Sequence, residues 1–161
     1  MVRILFVCHG NICRSPMAEF VMKALVREAG LEARYEIASA ATSREELGSP
    51  VYPPARRELA RHGIGCEGHA ARQLTAADYD RWDYLVGMEP VNLRGMTRIC
   101  GGDPRGKMRL LMSFAGSREA IDDPWYTGRF DEVYRQIERG CRALLRETGP
   151  EARKAVRSSP R

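Results

Sequence analysis

Val2-Arg-Ile-Leu-Phe-Val-Cys8-His-Gly-Asn-Ile-Cys-Arg14-Ser-Pro16 is the stretch on which the reading of the chain turns. Val2 to Val7 is apolar and rich in residues that favour extended backbone, which suits a buried strand of a parallel sheet. Ser15 followed by Pro16 reads as an N-cap and a first helical position. The loop between strand and helix is therefore short and held at both ends. In that geometry the amides of His9, Gly10, Asn11, Ile12, Cys13 and Ser15 gather at a helix N-terminus, an arrangement that binds phosphate-like anions. Gly10 and Asn11 fit it because both tolerate the left-handed backbone that turns amides inward.

Cys8 and Arg14 are the reactive pair. At the loop floor the amides, the helix dipole and Arg14 all favour the Cys8 thiolate. An ordinary thiol with a pKa of about 8.5 is about 3% ionised at pH 7, so ionisation alone raises the nucleophile by at most about thirtyfold. The larger effect belongs to Arg14, whose planar fork suits two equatorial oxygens of a phosphoryl group and tightens as charge spreads over them. A cysteinyl-phosphate intermediate follows from that pairing. Cys13 reads equally well as a packed residue or as a trap for oxidised Cys8.

Spacing alone is weak support. With 23 arginines and five cysteines in the chain, the chance of an accidental C-x5-R is about one in two. A second match is in fact present, Cys66-Glu-Gly-His-Ala-Ala-Arg72. It lacks a preceding strand and a capping residue, and Glu67 would repel an anion. Only the first match has strand, loop residues and helix start in agreement.

The chain has 161 residues, enough for one domain. Its hydrophobic content of 43% is ordinary, and no apolar run is long enough to cross a membrane or to form a signal peptide. An odd count of five cysteines points to a reducing compartment, with the cytoplasm as the expected location. The three histidines and the cysteines lack metal-binding spacing, so no metal or other cofactor is expected. Residues 151 to 161 carry +3 of the net +5. A domain over residues 1 to 149 and a basic, disordered tail over residues 150 to 161 are therefore expected, and the nearly neutral body gives no reason to expect nucleic acid.

Along the chain, a helix from Ser15 to about Gly30 carries Met17, Phe20, Val21, Ala24 and Leu25 on one face and Glu19, Lys23 and Arg27 on the other. Strands are expected at Tyr35–Ala38, Asp83–Met88 and Met108–Phe114, and helices at Pro54–His62, after a Thr75–Asp78 capping box, at Val91–Cys100 and at Phe130–Glu147. Alternating strands and helices predict an α/β fold, a four-stranded parallel sheet with helices on both faces. Residues 42 to 54, rich in Thr, Ser, Gly and Pro, read as a loop at the ligand edge, so Glu45 becomes a candidate wall residue together with Ile12.

Asp122-Asp123-Pro124-Trp125-Tyr126 is the other informative stretch. Two acids before proline are often a plain surface turn. A leaving phenolate, however, needs a proton from a positioned acid, which can then activate water against the phosphocysteine. Trp125 and Tyr126 would stand beside that acid as flat walls for a ring.

V-C-H-G-N-I-C-R-S-P resembles the opening loop of the low-molecular-weight protein tyrosine phosphatases. The resemblance runs on through Ser39-Ala-Ala-Thr-Ser, His62-Gly-Ile, His69-Ala-Ala-Arg-Gln, Asp83-Tyr-Leu-Val-Gly-Met, Asn92-Leu, Asp123-Pro-Trp-Tyr and Phe130-Asp-Glu-Val-Tyr. It implies the phosphotyrosine phosphatase I-like fold and hydrolysis of phosphotyrosine proteins, peptides and small aryl phosphates by a cytoplasmic monomer, with phosphate as product or inhibitor. It also implies Asp123, rather than Asp122, as general acid, and Ser39 and His69 as residues that brace Asn11 together with Ser15.

The chain departs from the family pattern at Arg44-Glu45-Glu46, where many members carry an aromatic, and Glu89 stands where the usual acid follows the third strand's methionine. Two relatives share the loop. Protein-arginine phosphatases usually carry threonine at the position of Ile12, and arsenate reductases need two further cysteines close together, whereas Cys66 and Cys100 lie far apart in sequence. A non-catalytic phosphate-binding or redox-sensing module is the reading from another class, and it has no use for Asp123.

Overall fold

The computed structural model describes residues 1–150, so all of the expected basic tail except Pro150 lies outside the described residues. Four parallel strands, β1 (Val2–Cys8), β2 (Tyr35–Ala41), β3 (Tyr84–Gly87) and β4 (Met108–Leu110), form one sheet in the order β2-β1-β3-β4. In register, Phe6 lies against Ser39 on one side and Val86 on the other. The chain leaves β1 toward β2 and later returns to β1's other edge with β3. The crevice beyond the carboxyl ends of β1 and β3 is thus the switch point of the sheet, the place where α/β folds hold ligands.

Alternation along β1 divides the core. Ile4, Phe6 and Cys8 face a layer built by α1 (Arg14–Glu28), α2 (Pro53–Arg61) and α6 (Phe130–Thr148), while Leu5 and Val7 face α3 (Asp78–Arg81) and α4 (Pro90–Cys100). The remaining helix, α5 (Pro124–Thr127), is a single turn. The buried stripe of α6 is Val133, Ile137, Cys141 and Leu144, with Phe130 and Leu145 at its margins, as the sequence periodicity predicts.

Several elements differ from the sequence expectation. The first helix starts at Arg14, not at a Ser15 cap, and no side chain caps it. Ser15 instead sits in the first turn and gives its hydroxyl to the loop. Both flanks of α1 are covered, by the sheet and by α6, so Glu19 is buried although the helical period puts it on the polar face. It is neutralised there by Lys23, 2.6 Å away. The fourth strand ends at Leu110, and Leu111–Ala115 winds into a 3-10 turn. The Ser113 hydroxyl, donating to the Leu110 carbonyl at 2.6 Å, competes with further strand pairing. Leu111 then packs on the backbone of Gly140 in α6, where a Cβ would lie 2.6 Å from its Cγ. The helix after β3 begins at Pro90, one residue earlier than expected, because Glu89 and Asn92 form a capping box.

Candidate active site

The loop from Cys8 to Arg14 is fixed by where its carbonyls go. Cys8 O accepts from Thr42 N at 2.9 Å, His9 O from Ser43 N at 3.0 Å and Ile12 O from Tyr52 N at 2.9 Å. Asn11 O accepts from His69 Nε2 at 2.7 Å. In a trans peptide the N–H points opposite the preceding C=O, so carbonyls tied outward turn the following amides toward the cavity. Asn11 holds the bend, with φ of 58°, the one non-glycine residue with positive φ among the described residues. Its side chain is fully buried, donating from Nδ2 to Ser15 Oγ at 2.8 Å and accepting at Oδ1 from Arg72 N at 3.2 Å.

Cys8 closes the strand at the cavity floor with 3% exposure, and its Sγ is 3.0 Å from Ser15 Oγ. The Ser15 oxygen already accepts from Asn11, so toward a thiolate its own proton is the one donated. Cys13 stands beside Cys8, and burial together with the nearby Cys8 charge pushes its thiol well above the ordinary range.

Arg14 is almost wholly buried. One guanidinium nitrogen donates both to Glu89 and to the Ile121 carbonyl, the latter at 2.8 Å. The other terminal nitrogen lies 3.6 Å from an Asp123 carboxylate oxygen. Burial alone would weaken the Arg14 charge, but Cys8, Asp123 and Glu89 outweigh it and hold the group more firmly protonated than usual. The fold brings these partners from distant parts of the chain. Glu89 caps the helix after β3, next to the loop after β1. Ile121, fully buried, donates its N–H to the Met88 carbonyl at 2.9 Å, which fastens the Asp123 segment against the same strand end.

Asp123 is the N-cap of α5, its Oδ1 accepting from Trp125 N at 3.0 Å. Pro124 in the first turn fixes the carboxylate's direction into the cavity. Trp125 and Tyr126 form the wall on that side, 52% and 84% exposed. Tyr52 backs Trp125, ring centroids 4.7 Å apart, while its N–H holds the Ile12 carbonyl. Opposite them stand Glu45 and Glu46, and Ile12 lies at the mouth. The cavity so enclosed measures about 590 Å³ out to its open mouth.

The sequence-predicted residues Cys8, His9, Gly10, Ile12, Cys13, Arg14, Glu45, Asp123, Trp125 and Tyr126 all line this cavity, and Asn11, Ser15 and His69 lie behind it as its supports. Ser39 is a correction: its hydroxyl goes to Glu19 at 2.6 Å, so it steadies α1 and is not a partner of Asn11. Cys66 lines a separate groove beside α2. Its apparent partner Arg72 is bound to Asp78 at 3.1 Å and uses only its backbone amide on Asn11.

Sequence reasoning gave no role to Glu89, Tyr52, Glu46 or Arg72. The Glu89-Pro-Val-Asn92 capping box was the one local signal available; the other three act through backbone groups or through a loop position that no motif marks. Among the described residues no three of His, Cys, Asp and Glu converge as a metal site would require.

A family model described as low molecular weight phosphotyrosine protein phosphatase matches residues 3–155. The low molecular weight protein-tyrosine-phosphatase YfkJ of Bacillus subtilis is 36% identical over 147 residues, spanning 90% of this chain and 94% of its own. The human low molecular weight phosphotyrosine protein phosphatase is 40% identical over 147 residues, 88% of this chain and 92% of that one. Among solved structures, the YfkJ crystal structure superposes with a TM-score of 0.88 at 34% identity, covering 99% of this chain and 98% of that chain. Vibrio vulnificus Wzb in complex with benzylphosphonate superposes with a TM-score of 0.80 at 29% identity, covering 91% and 98%.

Proposed function

The chain belongs to the low molecular weight phosphotyrosine protein phosphatase family and is a protein-tyrosine phosphatase working through a cysteinyl-phosphate; from that premise we propose that Cys8, Arg14 and Asp123 carry its reaction. The Cys8 thiolate attacks phosphorus in line with the tyrosyl oxygen. As the P–O bond breaks, Asp123 gives its proton to the departing phenolate. Water then attacks the phosphocysteine, Asp123 takes a proton back, and phosphate and the free thiolate are released.

Arg14 and the loop amides hold the three equatorial oxygens throughout. One nitrogen of the guanidinium is already occupied by Glu89 and Ile121. The remaining N–H groups are the ones that meet phosphate, and a fork held from behind loses little freedom on binding. Ser15 supplies the hydrogen bond that receives the sulfur when it leaves phosphorus in the second step.

The observation that carries this reading is the convergence of Cys8, Arg14 and Asp123 on one cavity whose far wall is aromatic. A phosphate binder needs the first two and has no use for an acid aimed at the same space. Substrates are phosphotyrosine proteins or peptides and small aryl phosphates, since Ile12, Trp125 and Tyr126 offer apolar faces to a ring and nothing to a guanidinium. The free thiols support a reducing, cytoplasmic setting and a monomer is the working unit; no helix among the described residues is long and apolar enough to cross a membrane.

Release of p-nitrophenol from its phosphate ester, lost in Cys8→Ser while inorganic phosphate still binds, is the direct test. Activity retained by Cys8→Ser removes the assignment. A panel of phosphotyrosine and phosphoarginine peptides decides the substrate class: kcat/KM for phosphoarginine equal to or above that for phosphotyrosine would favour a protein-arginine phosphatase.

A further inference from the structure

The wall facing Trp125 and Tyr126 has a chemistry the reaction itself does not require. Glu45 and Glu46 both line the cavity, while Arg44 between the loop's start and these acids does not. Their segment is fastened to the phosphate loop by Thr42 N on Cys8 O and Ser43 N on His9 O, at 2.9 and 3.0 Å. Glu46 is held further, its carboxylate 3.1 Å from the Ser49 hydroxyl and its stem close behind Gly10.

Glu45 differs from its neighbour. It is 69% exposed and has one side-chain partner among the described residues, His9 Nε2 at 3.0 Å, itself half exposed at the rim. An exposed pair of this kind is weak and exchanges readily. An incoming cation on a substrate can therefore take the place of His9 without breaking anything buried. The other charges near the cleft offer no such opportunity, since Arg14, Glu89 and Asp123 are committed to one another.

We infer that Glu45 selects among phosphotyrosine substrates, favouring those with a lysine or arginine beside the phosphotyrosine. The inference rests on the phosphatase reading above. With the ring between the walls and its phosphate on the loop, neighbouring side chains of the peptide cross the rim where Glu45 stands, with the Glu46 charge behind it. A basic side chain gains an ion pair there, and an acidic one meets two like charges.

The test is kcat/KM for three peptides that differ only in lysine, alanine or glutamate next to the phosphotyrosine, on the full chain and on Glu45→Gln, Glu45→Lys and Glu46→Gln. The lysine peptide should exceed the glutamate peptide by about tenfold at low salt, since attraction of an exposed pair is exchanged for repulsion, and by less at high salt. Glu45→Gln should flatten the order and Glu45→Lys reverse it. Each ratio is internal to one protein, so differences in overall activity do not enter.

Equal rates for the three peptides on an enzyme that hydrolyses p-nitrophenyl phosphate would overturn the inference and leave the phosphatase reading standing. An order that survives Glu45→Gln and collapses in Glu46→Gln would overturn the assignment to Glu45. Absence of hydrolysis on every phosphotyrosine substrate would remove the inference together with the reading it rests on.

Discussion

Glu89→Ala should damage catalysis although Glu89 contacts no part of the substrate. In the folded protein the Arg14 side chain is 3% exposed, and one of its nitrogens is shared between Glu89 and the Ile121 carbonyl. Removing the carboxylate leaves that nitrogen with the carbonyl alone, and the nearest remaining anion is Asp123 at 3.6 Å from the other terminal nitrogen. The guanidinium should then turn toward Asp123, away from the orientation that serves the phosphoryl oxygens and against the proton transfer that Asp123 performs.

A charge-assisted hydrogen bond is worth about 1.5–3 kcal/mol. If most of it is expressed as positioning in the transition state, kcat falls about ten- to a hundredfold. Phosphate affinity moves the other way or not at all, because one negative charge has left the neighbourhood. Glu89→Gln keeps an acceptor at the same place and should lose less than tenfold. Steady-state kinetics on p-nitrophenyl phosphate with inorganic phosphate as competitive inhibitor separate the two effects. Wild-type kcat in Glu89→Ala, or an equal loss in both variants, would refute the argument that Glu89 holds Arg14 by its geometry.

Asp123→Asn should slow aryl phosphates with poor leaving groups by about 10² to 10⁴ and spare those with good ones, read from kcat across a series of substituted phenols; equal losses along the series would mean another group supplies the proton. Gly140→Ala should destabilise the fold by about 1–3 kcal/mol in urea unfolding, since the new Cβ would lie 2.6 Å from Leu111; an unchanged midpoint would mean that the 3-10 turn moves aside freely. Burial and the neighbouring Glu138 push the Tyr134 hydroxyl up to about 12, so the unfolded chain ionises first and stability should be lost as pH rises from about 10 toward 12. Tyr134→Phe should make that loss shallower in unfolding midpoints taken across the range, and an unaltered pH slope would remove Tyr134 as its source.

The first sixteen residues determine a good deal unaided. An apolar strand, a short polar loop with residues that tolerate left-handed backbone, and proline at the helix start are local features, governed by interactions a few residues long. Cys8, Arg14 and the anion-binding purpose of the amides could be read for that reason. The sheet order follows from alternation of strands and helices, because parallel crossovers leave few topologies open. Asp123 was legible through its proline and its aromatic neighbours.

What tertiary structure alone decided concerns groups that meet across long stretches of chain. Glu89 reaches Arg14 because β3 lies beside β1, and nothing in either segment's own sequence records that adjacency. Ser39 sits in β2 with its hydroxyl on Glu19, since the helix that follows the phosphate loop is covered on both flanks and its one buried acid needs a donor. Residues 111 to 115 could continue a strand by composition, yet they curl because α6 presents a glycine for Leu111 to pack against. Tyr52 and Arg72 support the loop with backbone N–H groups, which every residue but proline possesses, so no side-chain pattern could have marked them.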